Sequence, residues 1–346
     1  MKAELNKQLN SQELASLIRE YQYGRYREDG DITSESSEKI LGDHIKKYLS
    51  QEETECIQVR SSEGISGILL FKLSKWDTEH FGFPYAIIDS IIIKNNECYE
   101  KLKVANQLLQ EFNDWTTSRH IRFVSVKLPA MDLPVIHSFE RFGFEYLESW
   151  IFNKYDLRKN NIKQPSFSLR DANTNDEATM IEFSKGAYST QRFHADFRFD
   201  SKKADSLYKK WIKTAFQDNN QKIVALDIKN KPAAYMIYYE NDFREYCGLR
   251  FTMWKLALID PDMRGKGVGT DFFEALKFHH QQEGMDIIDS GISLRNMSTF
   301  NLHNKSGFKV ISTIVTFHKW LKDTSLSTKT NQLFLLIING LYTIAS

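Results

Sequence analysis

The chain has 346 residues, 41% of them hydrophobic and 13% aromatic, with a formal net charge of +1. This is enough apolar material for sizeable cores, the near-neutral balance offers no overall pull toward nucleic acid or an anionic membrane, and a domain size of about 150 residues predicts two domains. Cys56, Cys98 and Cys247 are odd in number and widely separated, so neither a disulfide framework nor a metal site is expected, and a cytoplasmic location is the simplest expectation.

The lead-in to about residue 55 is charged and helical in period, with no apolar signal region, so export is not expected. Apolar runs CIQV, GILLFKL, YAIIDSIII and FVSVKL then alternate with a helical stretch from Glu100 to Ser118, an α/β pattern. Within this region WDTEHFGFP (Trp76 to Pro84) reads as an aromatic turn, a packing plug or a wall facing substrate. A helix, a turn at Gly143-Phe144 and an aromatic-rich strand close the first half.

RKNNIKQPSFS (Arg158 to Ser168) is polar and aperiodic, as linkers are. The expected division is 1–157, a linker at 158–168, a second domain at 169–322 and a tail at 323–346. The second half runs through a capped helix, the loop RFHADFRFD, the helix SLYKKWIKTAFQ, a strand pair and the strand WKLALI. Its end, HNKSGFKVISTIVTFHKW, repeats the helix, Gly-Phe turn and strand of the first half, which indicates an internal repeat. The apolar run Leu333 to Ala345 has 13 residues, short of the ~20 that span a bilayer, and is expected to pack on the core or join a homodimer.

WKLALI leads directly into DPDMRGKGVGT and a helix over about Val268 to Gln282. Arg264, Gly267 and Gly269 have the spacing R-x-x-G-x-G, with Gly265 between them. Glycine lets backbone N–H groups approach a ligand, and the start of a helix carries free N–H groups and partial positive charge that suit a pyrophosphate. Neither a Walker loop nor a dinucleotide fingerprint is present. About thirty residues on, Asn296 is followed by His303 and then Gly307-Phe308.

These two elements together resemble the GNAT acyltransferase superfamily, whose phosphate turn is [QR]-x-x-G-x-[GA] and whose later segment carries Asn, Tyr and Gly-Phe at this spacing. His303 stands at the Tyr position. The resemblance implies an α/β fold of two tandem GNAT-like domains, each a mostly antiparallel sheet flanked by helices. The N-terminal domain is degenerate: it lacks the glycine cradle, has Phe139 where the second half has His303, and is not expected to bind CoA. The W-D segment and the R-F-x-x-D loop are similar to the dTDP-fucosamine acetyltransferase branch, which acylates nucleotide-linked amino sugars for surface polysaccharides.

The resemblance therefore implies an acetyl-CoA-dependent N-acetyltransferase acting by direct transfer. Backbone of Leu256, Ala257, Leu258 and Ile259 is expected to pair with the pantetheine arm. Arg264, Gly265, Lys266, Gly267, Val268, Gly269 and Thr270 are expected to hold the pyrophosphate. Asn296 is expected to bond the arm or to cap its helix. His303 takes the role of acid toward the departing thiolate, or is a buried side chain. Arg192, His194, Asp196 and Trp254 are the candidates for the acceptor. The acceptor amine is expected on a nucleotide amino sugar; an amino acid, peptide or polyamine acceptor, and a non-catalytic acyl-CoA-binding module, are the alternatives.

Overall fold

The computed structural model describes residues 2–322 except Glu28, Asn95, Asn96, Ser189 and Thr190. The expected tail at 323–346, with its apolar run, lies outside the described residues.

The first half comprises β1 (Lys2–Leu5), α1 (Ser11–Glu20), α2 (Ser34–Leu49), β2 (Thr54–Ser61), β3 (Gly64–Leu73), α3 (Lys75–Phe81), β4 (Tyr85–Ile93), α4 (Cys98–Ser118), β5 (Phe123–Pro129), α5 (Leu133–Arg141) and β6 (Glu145–Asp156). The second comprises β7 (Leu169–Asp171), α6 (Glu177–Ser184), α7 (Arg192–Ala195), α8 (Ser201–Gln217), β8 (Gln221–Ile228), β9 (Lys231–Phe243), α9 (Arg244–Cys247), β10 (Leu249–Ile259), α10 (Val268–Gln282), β11 (Ile287–Ser293), α11 (Met297–Lys305) and β12 (Lys309–Trp320).

All twelve strands join one sheet, in the order β1-β2-β3-β4-β5-β12-β6-β11-β10-β9-β8-β7. The halves exchange their last strands. β12 of the second half pairs with β5 of the first, β6 of the first pairs with β11 of the second, and β6 and β12 pair with each other, all antiparallel. Among the described residues only β4 with β5 and β10 with β11 run parallel, one such pair in each half.

The repeat holds at atomic detail. The Phe144 N–H donates to the Phe139 carbonyl at 3.0 Å, and the Phe308 N–H donates to the His303 carbonyl at 3.1 Å. Both turns pass through a glycine at positive φ, +79° at Gly143 and +80° at Gly307, where a side chain would be strained.

The cores lie on both faces of the sheet. On one face α4 buries Val104, Leu108 and Phe112 in the first half, and α10 buries Phe272, Phe273 and Leu276 in the second. On the other face α1 and α2 supply Leu17, Ile18 and Ile45, and α6 and α8 supply Met180, Tyr208 and Ile212. A cluster of Phe81, Tyr85, Phe123, Phe193, Phe199 and Leu207 joins the halves on this second face. The aromatic turn after Trp76 is therefore part of a packing plug, with Phe81 tilted against Phe193 at 5.1 Å between centroids and edge-on to Phe199 at 4.7 Å.

Asp196 locks that joint. Its side chain is fully buried, and its carboxylate accepts from His318 Nδ1 at 2.9 Å, Trp320 Nε1 at 2.9 Å and Arg198 Nε at 2.7 Å. Burial alone would raise its pKa, but these donors hold it well below the usual carboxylate range. Asp196→Ala leaves buried donors without an acceptor and should cost roughly 3–5 kcal/mol. Urea unfolding checks this; a change under about 1 kcal/mol would remove Asp196 from the joint.

Candidate functional site

β10 and β11 pair in parallel from Phe251 and Ile287 only as far as Trp254 and Ser290. A register shift between Trp254 and Leu256 marks a bulge at the same level on the other edge of β10. Beyond it the two strands part, and the gap opens into a cleft of about 450 Å³. The edge of β10 facing β11 is thereby released from sheet pairing, the condition for an extended ligand to add as a strand. Tyr188 Oη already donates to the Ala257 carbonyl at 2.9 Å.

The glycine turn lies at the mouth. Gly265 and Gly267 have φ of +74° and +89°, and a Cβ at either would meet nothing within 4 Å. Gly267 caps α10 without a side chain, so the first N–H groups of the helix face open space with positive partial charge. Such a cradle fits a pyrophosphate. Arg264 folds back to donate to the Ile259 carbonyl from Nε at 3.3 Å and Nη2 at 3.2 Å, holding the turn.

Leu256, Ala257, Ile259, Arg264, Gly265, Gly269, Asn296, His303 and Trp254 come together around the cleft. Leu258 and Val268 instead point into cores, and Lys266, Gly267 and Thr270 lie on the exposed rim. Asn296 caps α11, its Oδ1 accepting from Thr299 N at 3.1 Å. Trp254 packs edge-on against Phe273 and donates from Nε1 to His280 Nε2 at 3.0 Å.

The geometry corrects the expected chemistry of His303. The ring is buried, and burial pushes its pKa down to about 4. Of the two donor forms open to His303 as an acid, imidazolium or neutral N–H, the imidazolium is thus scarce at neutral pH. Nδ1 is 2.9 Å from the Thr299 carbonyl, which can only accept, so Nδ1 carries the proton. Nε2 is then the acceptor for the Ser290 hydroxyl at 2.9 Å. Ser290 lines the cleft where the strands part, and sequence reasoning missed it because a lone Ser in a strand carries no signal.

The loop candidates are also redistributed. Asp196 is spent on His318, Trp320 and Arg198, and His194 Nε2 meets Asp205 at 3.0 Å. Neither lines the cleft, because the loop is pinned to the sheet through these side chains. Arg192 stacks over Phe193, its guanidinium carbon 4.6 Å from the ring centroid, and its charge is felt by Lys127 and His318.

At the corresponding place in the first half the starts of α4 and α5 are tied together. Asp132, at the start of α5 as Asn296 is at the start of α11, forms a buried ion pair at 2.9 Å with Lys101 of α4. Tyr23 covers that ammonium at 4.3 Å.

Residues 187–308 match the model of the Acetyltransferase (GNAT) family. An L-methionine sulfoximine/L-methionine sulfone acetyltransferase of Pseudomonas aeruginosa is 27% identical over 100 residues, 29% of this chain and 57% of that protein. The L-amino acid N-acyltransferase MnaT of Escherichia coli is 29% identical over 84 residues, 23% of this chain and 49% of that one. The chain thus spans about half the length of the curated relatives it matches. A GCN5-related N-acetyltransferase from Sphaerobacter thermophilus shares the fold with a TM-score of 0.62 at 11% identity, over 92% of this chain and 95% of that one. A tandem GNAT protein from the clavulanic acid biosynthesis pathway does so at 0.56 and 12% identity, over 92% and 98%. The fold is that of a tandem GNAT protein, and the stretch that matches the GNAT acetyltransferase family lies in its second half.

Gly267→Val forces a β-branched residue to positive φ, a strain of about 1–2 kcal/mol or more, and distorts the cradle. CoA affinity measured by calorimetry should fall about tenfold or more; unchanged affinity would sink the cradle assignment. Because the His303 pKa is lowered on folding, the unfolded chain binds its proton first, so His303 costs stability as pH falls from about 6.5 to about 4. His303→Phe should flatten the pH dependence of the urea midpoint across that window.

Proposed function

We propose that the chain is an acetyl-CoA-dependent N-acetyltransferase whose second half holds the donor between β10 and β11. The observation that carries this is the parting of the two strands at Trp254 and Ser290 beside the glycine turn of α10. Backbone of β10 from Leu256 to Ile259 would hold the pantetheine arm, and Gly265 to Gly269 with the start of α10 would hold the pyrophosphate. The division at 158–168 is proposed as a boundary between repeats, with the first repeat serving as scaffold and not as a donor site.

Transfer forms a C–N bond and breaks a C–S bond, so one proton must travel from the amine to the sulfur. Ser290 and His303 are arranged to carry it. Ser290 Oγ takes the proton from the attacking nitrogen while its own proton moves to His303 Nε2. The reverse step returns a proton through Ser290 to the thiolate. A weakly basic, buried imidazole favours that return, and the Thr299 carbonyl keeps the ring in the required tautomer.

The acceptor we favour is a small amine of the amino-acid type, supported by the names of the curated relatives. A nucleotide-linked amino sugar is the second reading, supported by Arg192 next in the chain to Gln191 of the cleft wall; the tying up of His194 and Asp196 weighs against it. Thiol release from acetyl-CoA against amino acids, nucleotide-linked amino sugars, polyamines and short peptides tests the proposal. Release with one class identifies the acceptor, whereas saturable CoA binding without release on any amine would favour a non-catalytic module. Ser290→Ala and His303→Phe should each lower kcat about 100-fold with little change in CoA affinity; unchanged turnover would remove the pair from the mechanism.

A further inference from the structure

Across the exchanged strands, Lys127 of β5 is directly opposite Thr316 of β12, and Thr316 is directly opposite Glu148 of β6. The three side chains therefore stand in one row on one face of the sheet, with neighbouring strands about 4.8 Å apart. This is the face carrying the joint of Phe81, Phe193 and Phe199. Glu148 is 1% exposed. Its Oε2 accepts from Ser293 Oγ at 2.5 Å, while Oε1 is buried with no hydrogen-bond partner. Trp150 Nε1, two residues along β6, and Thr316 Oγ1 are likewise buried and unpartnered.

Three buried polar atoms without partners, two in this row and one in the next, are costly unless something else meets them. Two cations bear on this row. Lys127 extends over Trp150 with Nζ 4.3 Å from the ring centroid, and the charge of Arg192 on α7 acts on Lys127. Neither has a carboxylate partner among the described residues, whereas the neighbouring Arg25 is paired with Asp289. Lys127 is itself exposed, so its ammonium is open to an incoming counter-ion. The row adjoins the donor cleft through two residues of the cleft wall, Trp150, two residues along β6 from Glu148, and Ser293, which donates to Glu148.

We infer that this row is the acceptor site and that it selects primary amines bearing an anionic group, with Glu148 accepting a hydrogen bond from the amine and Lys127 and Arg192 binding the anion. The inference rests on the N-acetyltransferase reading and names its substrate class. A carboxylate and a phosphate offer the same chemistry to two cations; amino acids and nucleotide-linked amino sugars are the corresponding sources. The site is assembled from both repeats, which gives the first half a share in acceptor recognition.

The test uses the full chain with amino acids, the matching amino-acid amides and nucleotide-linked amino sugars, read by thiol release and, independently, by calorimetric binding to the protein saturated with CoA. Acids or phosphate-bearing amines should exceed the uncharged amides about tenfold or more in kcat/KM and in affinity. Lys127→Met should raise the KM for the anionic acceptor about tenfold and bring the acid-to-amide ratio near one, with the KM for acetyl-CoA unchanged. Glu148→Gln should lower kcat/KM for every amine, with thermal melts checking that both variants fold. Amides used as well as acids, or an unchanged ratio in Lys127→Met, would overturn the site. Selective binding of acids without thiol release would instead overturn the transferase reading while leaving the anion-selective site standing.

Discussion

The exchange of β6 and β12 is the constraint on which the rest of the structure depends. Each strand completes the sheet of the other half, so separating the halves would break the β5·β12, β12·β6 and β6·β11 ladders together. A boundary between two tandem domains is ordinarily a soft interface of side chains. Here it is a run of main-chain hydrogen bonds at the centre of one sheet. That rigidity lets side chains from opposite halves, such as Thr316 of β12 with Lys127 and Glu148 of the first half, keep a fixed register.

With the centre fixed, the two parallel strand pairs have become different things. In the second half the parting of β10 from β11 stays open, flanked by glycines whose Cβ positions are vacant. In the first half Lys101 and Asp132 tie the starts of α4 and α5 together at the corresponding place under Tyr23, and the lead-in helices α1 and α2 cover the adjoining sheet face. A buried ion pair of this kind is weak evidence for net stability, but removal of either partner would be severe. One copy of the fold has thus kept its slot while the other has an ion pair at the corresponding place.

The glycine turn, α10 and Asn296 were legible in the sequence because phosphate cradles and helix caps are local devices with fixed spacing. So was the repeat, through its two Gly-Phe turns. The strand exchange was not legible: β6 and β12 have similar patterns, and periodicity says which face a strand buries but not which neighbour it pairs with. The chemistry of His303 depends on burial and on two partners distant from any motif. Asp196 looked like a ligand for the acceptor because Arg, His and Asp in one loop suggest a site; the aromatic and imidazole donors that consume it come from β12, more than a hundred residues later. Glu148, Lys127 and Trp150 escaped notice because they belong to the half without a cradle, although the topology brings Trp150 into the wall of the other half's cleft with Glu148 and Lys127 beside it.

The exchange also has a cost in time. During synthesis the edge of β5 must wait for β12, about 190 residues further along the chain, which at usual elongation rates is on the order of ten to forty seconds. Throughout that interval the nascent first half carries an open sheet edge, and β6 has neither of its neighbours. Exposed edges are templates for pairing with other chains. A protein built this way depends on what shields its unfinished sheet at the ribosome as much as on the stability of the finished one.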